Sequence, residues 1–228
     1  MFYYYDSTYI LVIIAFALTL FASFGVKSTF ARYDKIRNTR GITGADAARR
    51  ILSSNGIGNV TVEHTSGSLT DHFDPRTNVV RLSDATYNST SVAAIGVAAH
   101  ECGHAIQHSV GYAPIKLRNA IVPVVNIGNT LSMPLFFIGL VMGAYKLALA
   151  GALLFSFVLV FQLVTLPVEL NASRRALKIL DEFDILGNSE LKGAKKVLTA
   201  AAMTYVAAVA ATALQLLRLL TILNRRRD

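Results

Sequence analysis

The chain has 228 residues, a formal net charge of +8 and a hydrophobic share of 53%, and its mean hydropathy is +0.47. This composition is too apolar for an ordinary soluble domain, and the apolar residues are grouped in long runs. The sequence therefore indicates an integral membrane protein. The single cysteine, Cys102, excludes an internal disulfide framework.

The first apolar run covers residues 8–26 and contains no charged side chain. No basic region precedes it, so we expect a membrane anchor rather than a cleaved signal peptide. Seven Lys and Arg residues but only two Asp residues lie between Lys27 and Arg50. By the positive-inside rule, this asymmetry predicts an external N-terminus and a cytoplasmic segment at 27–119. The flank of an anchor explains the basic run more simply than nucleic-acid binding does, so we expect no nucleic-acid partner.

Residues 41–83 change from a helical to an extended pattern. Thr43, with Asp46 three residues later, predicts a capped helix start, and the helix should end at Asn55. The extended part contains three predicted strands, at 60–62, 69–73 and 79–82, and a turn at 74–77. A small β-sheet should therefore precede the next helix.

The segment VAAHECGHAIQH at 97–108 predicts a single helix, and candidate N-cap residues lie at 88–91. His100 and His104 are four residues apart and therefore lie on one helix face, with Glu101 beside them. Two neutral imidazoles so placed can bind one zinc ion, and the carboxylate can accept a proton from water that the metal has acidified. The HExxH pattern therefore predicts zinc-dependent peptide hydrolysis.

A catalytic zinc site needs three protein ligands and one open position, so a third ligand is required. His108 lies eight residues after His100, about 12 Å along a helix axis, which is too far for both to bind one ion. Glu169, at the exit of a long apolar run, is the better candidate. Gly103 costs about 1 kcal/mol relative to Ala inside a helix, so we expect another element to approach the helix closely there.

A transmembrane hairpin is predicted at residues 120–168, because two long apolar runs are joined there by a very short turn at Tyr145-Lys146. Two crossings return Glu169 to the side that holds the HExxH helix. The following segment, 169–198, is charged, and we expect it in the cytoplasm.

The last apolar run, 199–223, is long enough to cross a membrane, but it contains Arg218 and is followed by three more arginines. After an external N-terminus, a fourth crossing would place these arginines outside, against the charge rule. The run therefore either crosses with Arg218 extended towards the interface or lies on the cytoplasmic surface. The sequence leaves both alternatives open.

Three segments, HECGHAIQH, PVELNASRRAL and DHFDPRTNVVRLS, resemble the bacterial membrane zinc metallopeptidases of the YugP type, the neutral zinc metallopeptidase family. The resemblance covers nearly the whole chain and implies three zinc ligands, His100, His104 and Glu169. It also implies Glu101 as the general base. More distantly, the chain is similar to the HtpX and Ste24 membrane proteases, in which the ligand Glu is followed four residues later by Asp. This chain has Ser173 at that place, so the resemblance carries no supporting role over to it.

We therefore predict a mainly α-helical integral membrane protein with a single domain over residues 1–228. It should have about four hydrophobic helices and a zincin-like HExxH helix beside a small β-sheet at the cytoplasmic surface. The predicted function is a membrane-bound zinc endopeptidase that cleaves peptides or membrane proteins near the bilayer. The competing hypothesis is a membrane adaptor or holdase with a structural zinc site, which would need a fourth protein ligand that no second cysteine offers.

Substrate binding is predicted in less detail. Transition-state stabilisation needs a donor for the oxyanion, for which His72, Tyr112 and Arg174 are candidates. By analogy with other zinc proteases, the strand at 79–83 would hold the substrate by backbone pairing. A lone histidine in a sheet is more often structural than catalytic, which is the expected role of His64.

Overall fold

The computed structural model describes residues 7–225, and its architecture is mainly α-helical with one small sheet. The elements in chain order are α1 (Tyr9–Asp34), α2 (Gly44–Ser54), β1 (Thr61–His64), β2 (His72–Asp74), β3 (Val79–Leu82), α3 (Val92–Ser109), α4 (Ala113–Val141), α5 (Tyr145–Glu182) and α6 (Asn188–Asn224). The predicted fold class is confirmed.

Four of the described helices, α1, α4, α5 and α6, are long and apolar enough to cross a membrane. Helix α6 begins at Asn188, well before the apolar run that starts at 199, because the Glu190 carboxylate accepts a hydrogen bond from the backbone N–H of Gly187 (2.9 Å). Helix α5 likewise continues past its apolar run to Glu182. In both helices, charged turns and apolar turns belong to one continuous element.

The connection between α4 and α5 lies at 142–144, a few residues before the expected turn. Gly143 has a φ of 68°, in the left-handed region that glycine adopts without strain. The backbone N–H of Ala144 donates to the carbonyl of Gly139 (2.9 Å), which closes the end of α4. Tyr145 and Lys146, expected to form the turn, instead begin α5, so this detail of the sequence prediction is wrong.

The chain divides into two compact units, and the four long helices α1, α4, α5 and α6 each contribute to both. The first unit takes residues up to 23, 116–166 and 204 onward, and its core packs Phe136 against Leu219 and their apolar neighbours. The second unit takes residues 24–115 and 167–203 and contains α2, the sheet and α3. The HExxH helix therefore belongs to the second unit.

Helix α2 begins with the predicted capping box. The Thr43 hydroxyl accepts a hydrogen bond from the backbone N–H of Asp46 (3.1 Å), and the Asp46 carboxylate accepts one from the backbone N–H of Thr43 (3.1 Å). The hydrogen bonds from the Thr43 hydroxyl and backbone hold the pKa of Asp46 below its usual range. Ile51 and Leu52 on the inner face are buried, and α2 packs against α3.

The three strands form one mixed sheet in the order β1-β3-β2. β1 runs parallel to β3, and β2 runs antiparallel to it. The Asp74 carboxylate closes the turn between β2 and β3, because it accepts hydrogen bonds from the Arg76 backbone (2.9 Å) and the Thr77 hydroxyl (2.8 Å). The strand at 79–82 and the turn at 74–77 are confirmed, while the first two strands start slightly later than expected.

The central position of β3 corrects one expectation. Both edges of β3 are hydrogen-bonded to neighbouring strands, so no backbone edge remains for a substrate at 79–83. In the described part of the chain the outer strands of this sheet are β1 and β2. β2 lies against α3, where the ring centroids of Phe73 and His108 are 5.8 Å apart.

Candidate metal centre

Helix α3 carries the HExxH motif and begins within the predicted capping region. Ser91 is its N-cap, and the Ser91 hydroxyl accepts a hydrogen bond from the backbone N–H of Ala94 (3.1 Å). The helix continues without a break to Ser109. His100 and His104 therefore lie on one face, with ring centroids 4.7 Å apart.

Gly103 allows α3 and α5 to approach each other closely. A Cβ atom at Gly103 would lie 2.6 Å from the backbone oxygen of Ala172, which is too close for any side chain. The predicted close approach at Gly103 is therefore confirmed, and the approaching element is α5. Glu169 precedes Ala172 by three residues on α5, so the same contact presents Glu169 to the histidine face of α3.

Three side chains converge at this contact. The Nε2 atoms of His100 and His104 lie 3.2 Å and 3.3 Å from Oε2 of Glu169. The candidate ligand atoms of the three residues all lie within 4.8 Å of one another. Glu169 is only 3% exposed, so solvent does little to stabilise its carboxylate. Two imidazole nitrogens and one carboxylate oxygen form a donor set that zinc binds in catalytic sites.

The second nitrogen of each imidazole is held by a neighbouring side chain. Nδ1 of His104 lies 3.1 Å from Oε1 of Gln107, and Nδ1 of His100 lies 3.1 Å from Oγ of Ser173. Because an amide oxygen only accepts, the proton of His104 belongs on Nδ1, and the lone pair of its Nε2 is directed at the cluster. Ser173 therefore does support His100, because its position one turn after Glu169 places both side chains on the same face of α5.

Gln107 is a residue of the site that sequence reasoning missed. It is fully buried, and its Nε2 donates to the backbone oxygen of Val168 (2.8 Å) and to Oδ1 of Asn171 (3.0 Å). Asn171 also accepts a hydrogen bond from Nε of Arg175 (2.8 Å). Gln107 thus links α3 to α5. The signal available in the sequence was its spacing of three residues from His104, which puts both on one helix face.

Glu101 follows His100 on α3 and is 8% exposed. Its carboxylate lies outside the group of three candidate ligands. Within residues 7–225 this carboxylate has no side-chain hydrogen bond, which leaves its oxygens able to accept a proton. Cys102, the next residue, is buried with its thiol towards the backbone oxygen of Ala48 (3.6 Å), and burial raises its pKa. Cys102 is therefore an inert core residue.

The charges of the site favour an added cation. Burial lowers the pKa of His104, but the hydrogen bond to Glu169 and the charges of Glu101 and Glu169 outweigh this effect and raise the pKa above its ordinary value. A raised imidazole pKa means that these surroundings stabilise positive charge. A divalent ion would supply such charge at the same place, so the residues present fit the zinc that the motif implies.

The other three histidines of the chain, His64, His72 and His108, lie apart from the cluster. His108 is exposed near the end of α3 and is not one of the three grouped residues. Nε2 of His64 lies 2.6 Å from the Asp84 carboxylate, in an exposed pair. Nδ1 of His72 lies 2.9 Å from the backbone oxygen of Thr70. The His64 contact agrees with its expected structural role.

The candidate oxyanion donors differ in their surroundings. Arg174 is exposed, whereas Tyr112 has the Arg175 guanidinium 5.8 Å from its ring centroid. The backbone N–H of Tyr112 also donates to the carbonyl of Gln107 (2.9 Å). Tyr112 therefore contacts the residues around the cluster through its backbone and its ring.

Two comparisons with known proteins found a match, one to a metallopeptidase family and one to a membrane protease. A family model described as "Putative neutral zinc metallopeptidase" matches residues 8–224. The "Putative membrane protease YugP" of Bacillus subtilis (strain 168) is 47% identical over 218 residues, which make up 96% of this chain and 97% of that protein. No solved structure matches the chain.

Proposed function

The chain belongs to the neutral zinc metallopeptidase family, as its motifs predicted, and from this membership we propose that it is a membrane-bound zinc endopeptidase. Its metal would be held by His100, His104 and Glu169. The observation that supports this proposal is the convergence of two imidazole Nε2 atoms on one buried carboxylate oxygen, at 3.2 Å and 3.3 Å. Three protein ligands of these types are the set that catalytic zinc sites use.

When bound, zinc acts as a Lewis acid that polarises the scissile carbonyl and acidifies water. Glu101 would act as the general base, because its carboxylate can accept a proton from the attacking water and deliver it to the nitrogen of the leaving amine. Gln107 and Ser173 act through Nδ1 of the two histidines and keep each Nε2 directed at the site. Tyr112 is the donor we nominate for the carbonyl oxygen, because it contacts the residues around the cluster.

The second candidate function is a membrane adaptor or holdase with a structural zinc site. Structural zinc is normally enclosed by four protein ligands. Among residues 7–225, the group of His, Cys, Asp and Glu side chains that could hold an ion has three members. A three-membered group favours the catalytic proposal over the structural one.

We also propose that residues 1–228 act as one multi-pass membrane domain with the metal centre on the cytoplasmic side. The excess of Lys and Arg between Lys27 and Arg50 supports this orientation. Glu169 directly follows the apolar run of α5, so the centre would lie close to the membrane surface. Peptides and membrane proteins near the bilayer are therefore the proposed substrates.

The proposed chemistry is tested by Glu101→Gln. The amide keeps the size of the side chain but cannot accept a proton, so we expect cleavage of an unfolded membrane-protein substrate to fall by about 10²–10⁴-fold. Zinc content, measured on the purified protein, should stay at the wild-type level. Glu182→Gln, which removes an exposed carboxylate at the end of α5, is the matched control and should retain full activity.

Three other results of this experiment would contradict the proposal. Wild-type cleavage by Glu101→Gln would show that Glu101 is not the base. Loss of zinc would show that Glu101 binds the metal. If the wild-type protein holds zinc but cleaves nothing even at high substrate concentration, the endopeptidase proposal is wrong and the adaptor hypothesis is favoured.

A further inference from the structure

A basic pocket lies within the second unit, between the end of α1 and the beginning of α6, with a volume of about 580 Å³. It is lined by four cationic side chains, Arg32, Lys192, Lys195 and Lys196. The hydroxyl residues Thr29, Tyr33 and Thr199 also contribute to its wall. Its volume falls in the range of roughly 300–1,000 Å³ that is typical of small-molecule sites.

The four cations of the basic pocket are not compensated by protein carboxylates. No Asp or Glu lines the pocket. Within residues 7–225, none of the four takes part in an ion pair. Lys192 and Lys196 are four residues apart on α6, and like charges at this spacing destabilise a helix. A third lysine on α6, Lys195, and Arg32 on α1 add to this repulsion, so an anion in the pocket would be favoured.

The basic pocket lies where two helices change from charged to apolar. On α1 the uncharged stretch ends at Val26, one turn before Thr29. On α6 the uncharged stretch begins at Val197, directly after Lys196. If these stretches cross the membrane, the pocket is at the level of the lipid head groups, open to charged groups on one side and to acyl chains on the other.

The wall of the basic pocket is shaped by close packing. A Cβ atom at Gly193 would lie 2.8 Å from the ring of Tyr33, so only glycine allows α6 to contact this ring. Tyr33 is 9% exposed and therefore held in place. The pocket thus has an ordered aromatic wall, which a loose scatter of surface lysines would lack.

We propose that the basic pocket binds the phosphate of an anionic phospholipid head group. An Arg guanidinium can form two parallel hydrogen bonds with a phosphate, and the three ammonium groups add charge around it. The positive-inside rule alone does not explain the arrangement. Lys27 and Lys35 also satisfy that rule at the same end of α1, but neither lines the pocket.

The experiment compares two charge-matched double variants of the full chain in a neutral detergent. Arg32→Gln with Lys196→Gln removes two charges from the pocket, and Lys27→Gln with Lys35→Gln removes two charges beside it. Unfolding is followed with a thiol-reactive fluorogenic dye, because the single cysteine, Cys102, is fully buried and reacts only on unfolding. Each protein is titrated with short-chain phosphatidylglycerol, phosphatidylcholine of equal chain length, and inorganic phosphate at equal ionic strength.

We expect phosphatidylglycerol to raise the unfolding temperature of the wild type and the control variant by about 5 °C or more at a hundredfold excess over Kd. The pocket variant should show no such rise, and phosphatidylcholine should have no effect on any of the three. Equal rises in both double variants, or an equal effect of phosphatidylcholine, would overturn the proposal. An equal rise with inorganic phosphate would make this a free-phosphate site and overturn the assignment to lipid. If the pocket variant does not fold, the single variants Lys196→Gln and Lys27→Gln are compared instead. The same differences in unfolding temperature then decide whether the pocket binds the lipid.

Discussion

At the residue scale, the candidate metal centre contains a carboxylate that is buried between two imidazoles. Removing a carboxylate from water costs several kcal/mol unless a cation compensates it. Glu169 is 3% exposed, and its partners in the cluster are imidazoles that are neutral when they bind a metal. The raised pKa of His104 shows the same need for positive charge. A divalent ion would satisfy both conditions, and two imidazoles with one carboxylate are a donor set that zinc binds in catalytic sites, which supports the proposed metal centre.

The ligand assignment predicts a clear ranking of two variants. Glu169→Ala should weaken zinc binding by more than the roughly 10–100-fold that is typical for loss of an outer hydrogen-bond partner. His108→Ala should leave zinc affinity close to wild type, because His108 is exposed and outside the cluster. The measurement is zinc content after dialysis against chelators of increasing strength. The reverse ranking would replace Glu169 by His108 in the ligand set.

The residues of the cluster differ in how far the sequence could predict them. The grouping of His100 and His104 follows from helical spacing alone, and Glu169 could be chosen because an acidic residue at the end of an apolar run has few structural roles. The contact of Ser173 with His100 depends on how α5 is rotated against α3, and spacing along one chain segment does not specify that rotation. Gln107 could have been found from its spacing to His104.

At the scale of elements, the site is a contact between two helices. Helix α3 supplies the histidines and α5 supplies the carboxylate, and the approach is possible because Gly103 lacks a side chain at the contact. The long helices were predictable because their apolar runs and caps are strong local signals. The position of β3 at the centre of the sheet could not be predicted, because strand order depends on pairings between segments that are distant in sequence.

Two glycines of α3 allow this contact to be tested. Gly103→Ala adds a methyl group 2.6 Å from a backbone oxygen of α5, so α3 and α5 must separate, and we expect lower zinc affinity and a destabilisation of about 1–3 kcal/mol. Gly96→Ala in the same helix meets the Cβ atom of Ala194 at 3.3 Å, a milder contact, and should retain zinc. Zinc content and thermal unfolding measure both effects. If Gly103→Ala binds zinc as tightly as Gly96→Ala, close approach of the helices is not required.

At the scale of the whole molecule, contacts within the first unit help to decide whether the last apolar helix, α6, crosses the membrane. The Arg218 guanidinium lies 4.6 Å from the ring centroid of Tyr9, and Arg225 donates a hydrogen bond to the Ser7 hydroxyl (3.2 Å). The end of α6 is therefore beside the beginning of α1, and the two helices are antiparallel there. If α1 is a membrane anchor, as predicted, an antiparallel helix packed beside it is expected to cross the bilayer as well. These contacts favour the crossing alternative for 199–223, with Arg218 held against an aromatic ring at the interface.

The predicted orientation puts the two ends of α6 on opposite sides of the membrane. Seven basic residues follow the first apolar run, and two crossings between the HExxH helix and Glu169 keep both on one side, so Ser66 and Asn188 should be cytoplasmic while Lys146 and Asn224 should be outside. All four side chains are exposed, so labelling of a cysteine at each position reports the side of the membrane rather than burial. In a Cys102→Ser background, a membrane-impermeant maleimide added to intact cells should modify Lys146→Cys and Asn224→Cys only. Modification of Ser66→Cys would invert the topology and place proteolysis outside the cytoplasm, whereas protection of Asn224→Cys alone would show that α6 does not cross.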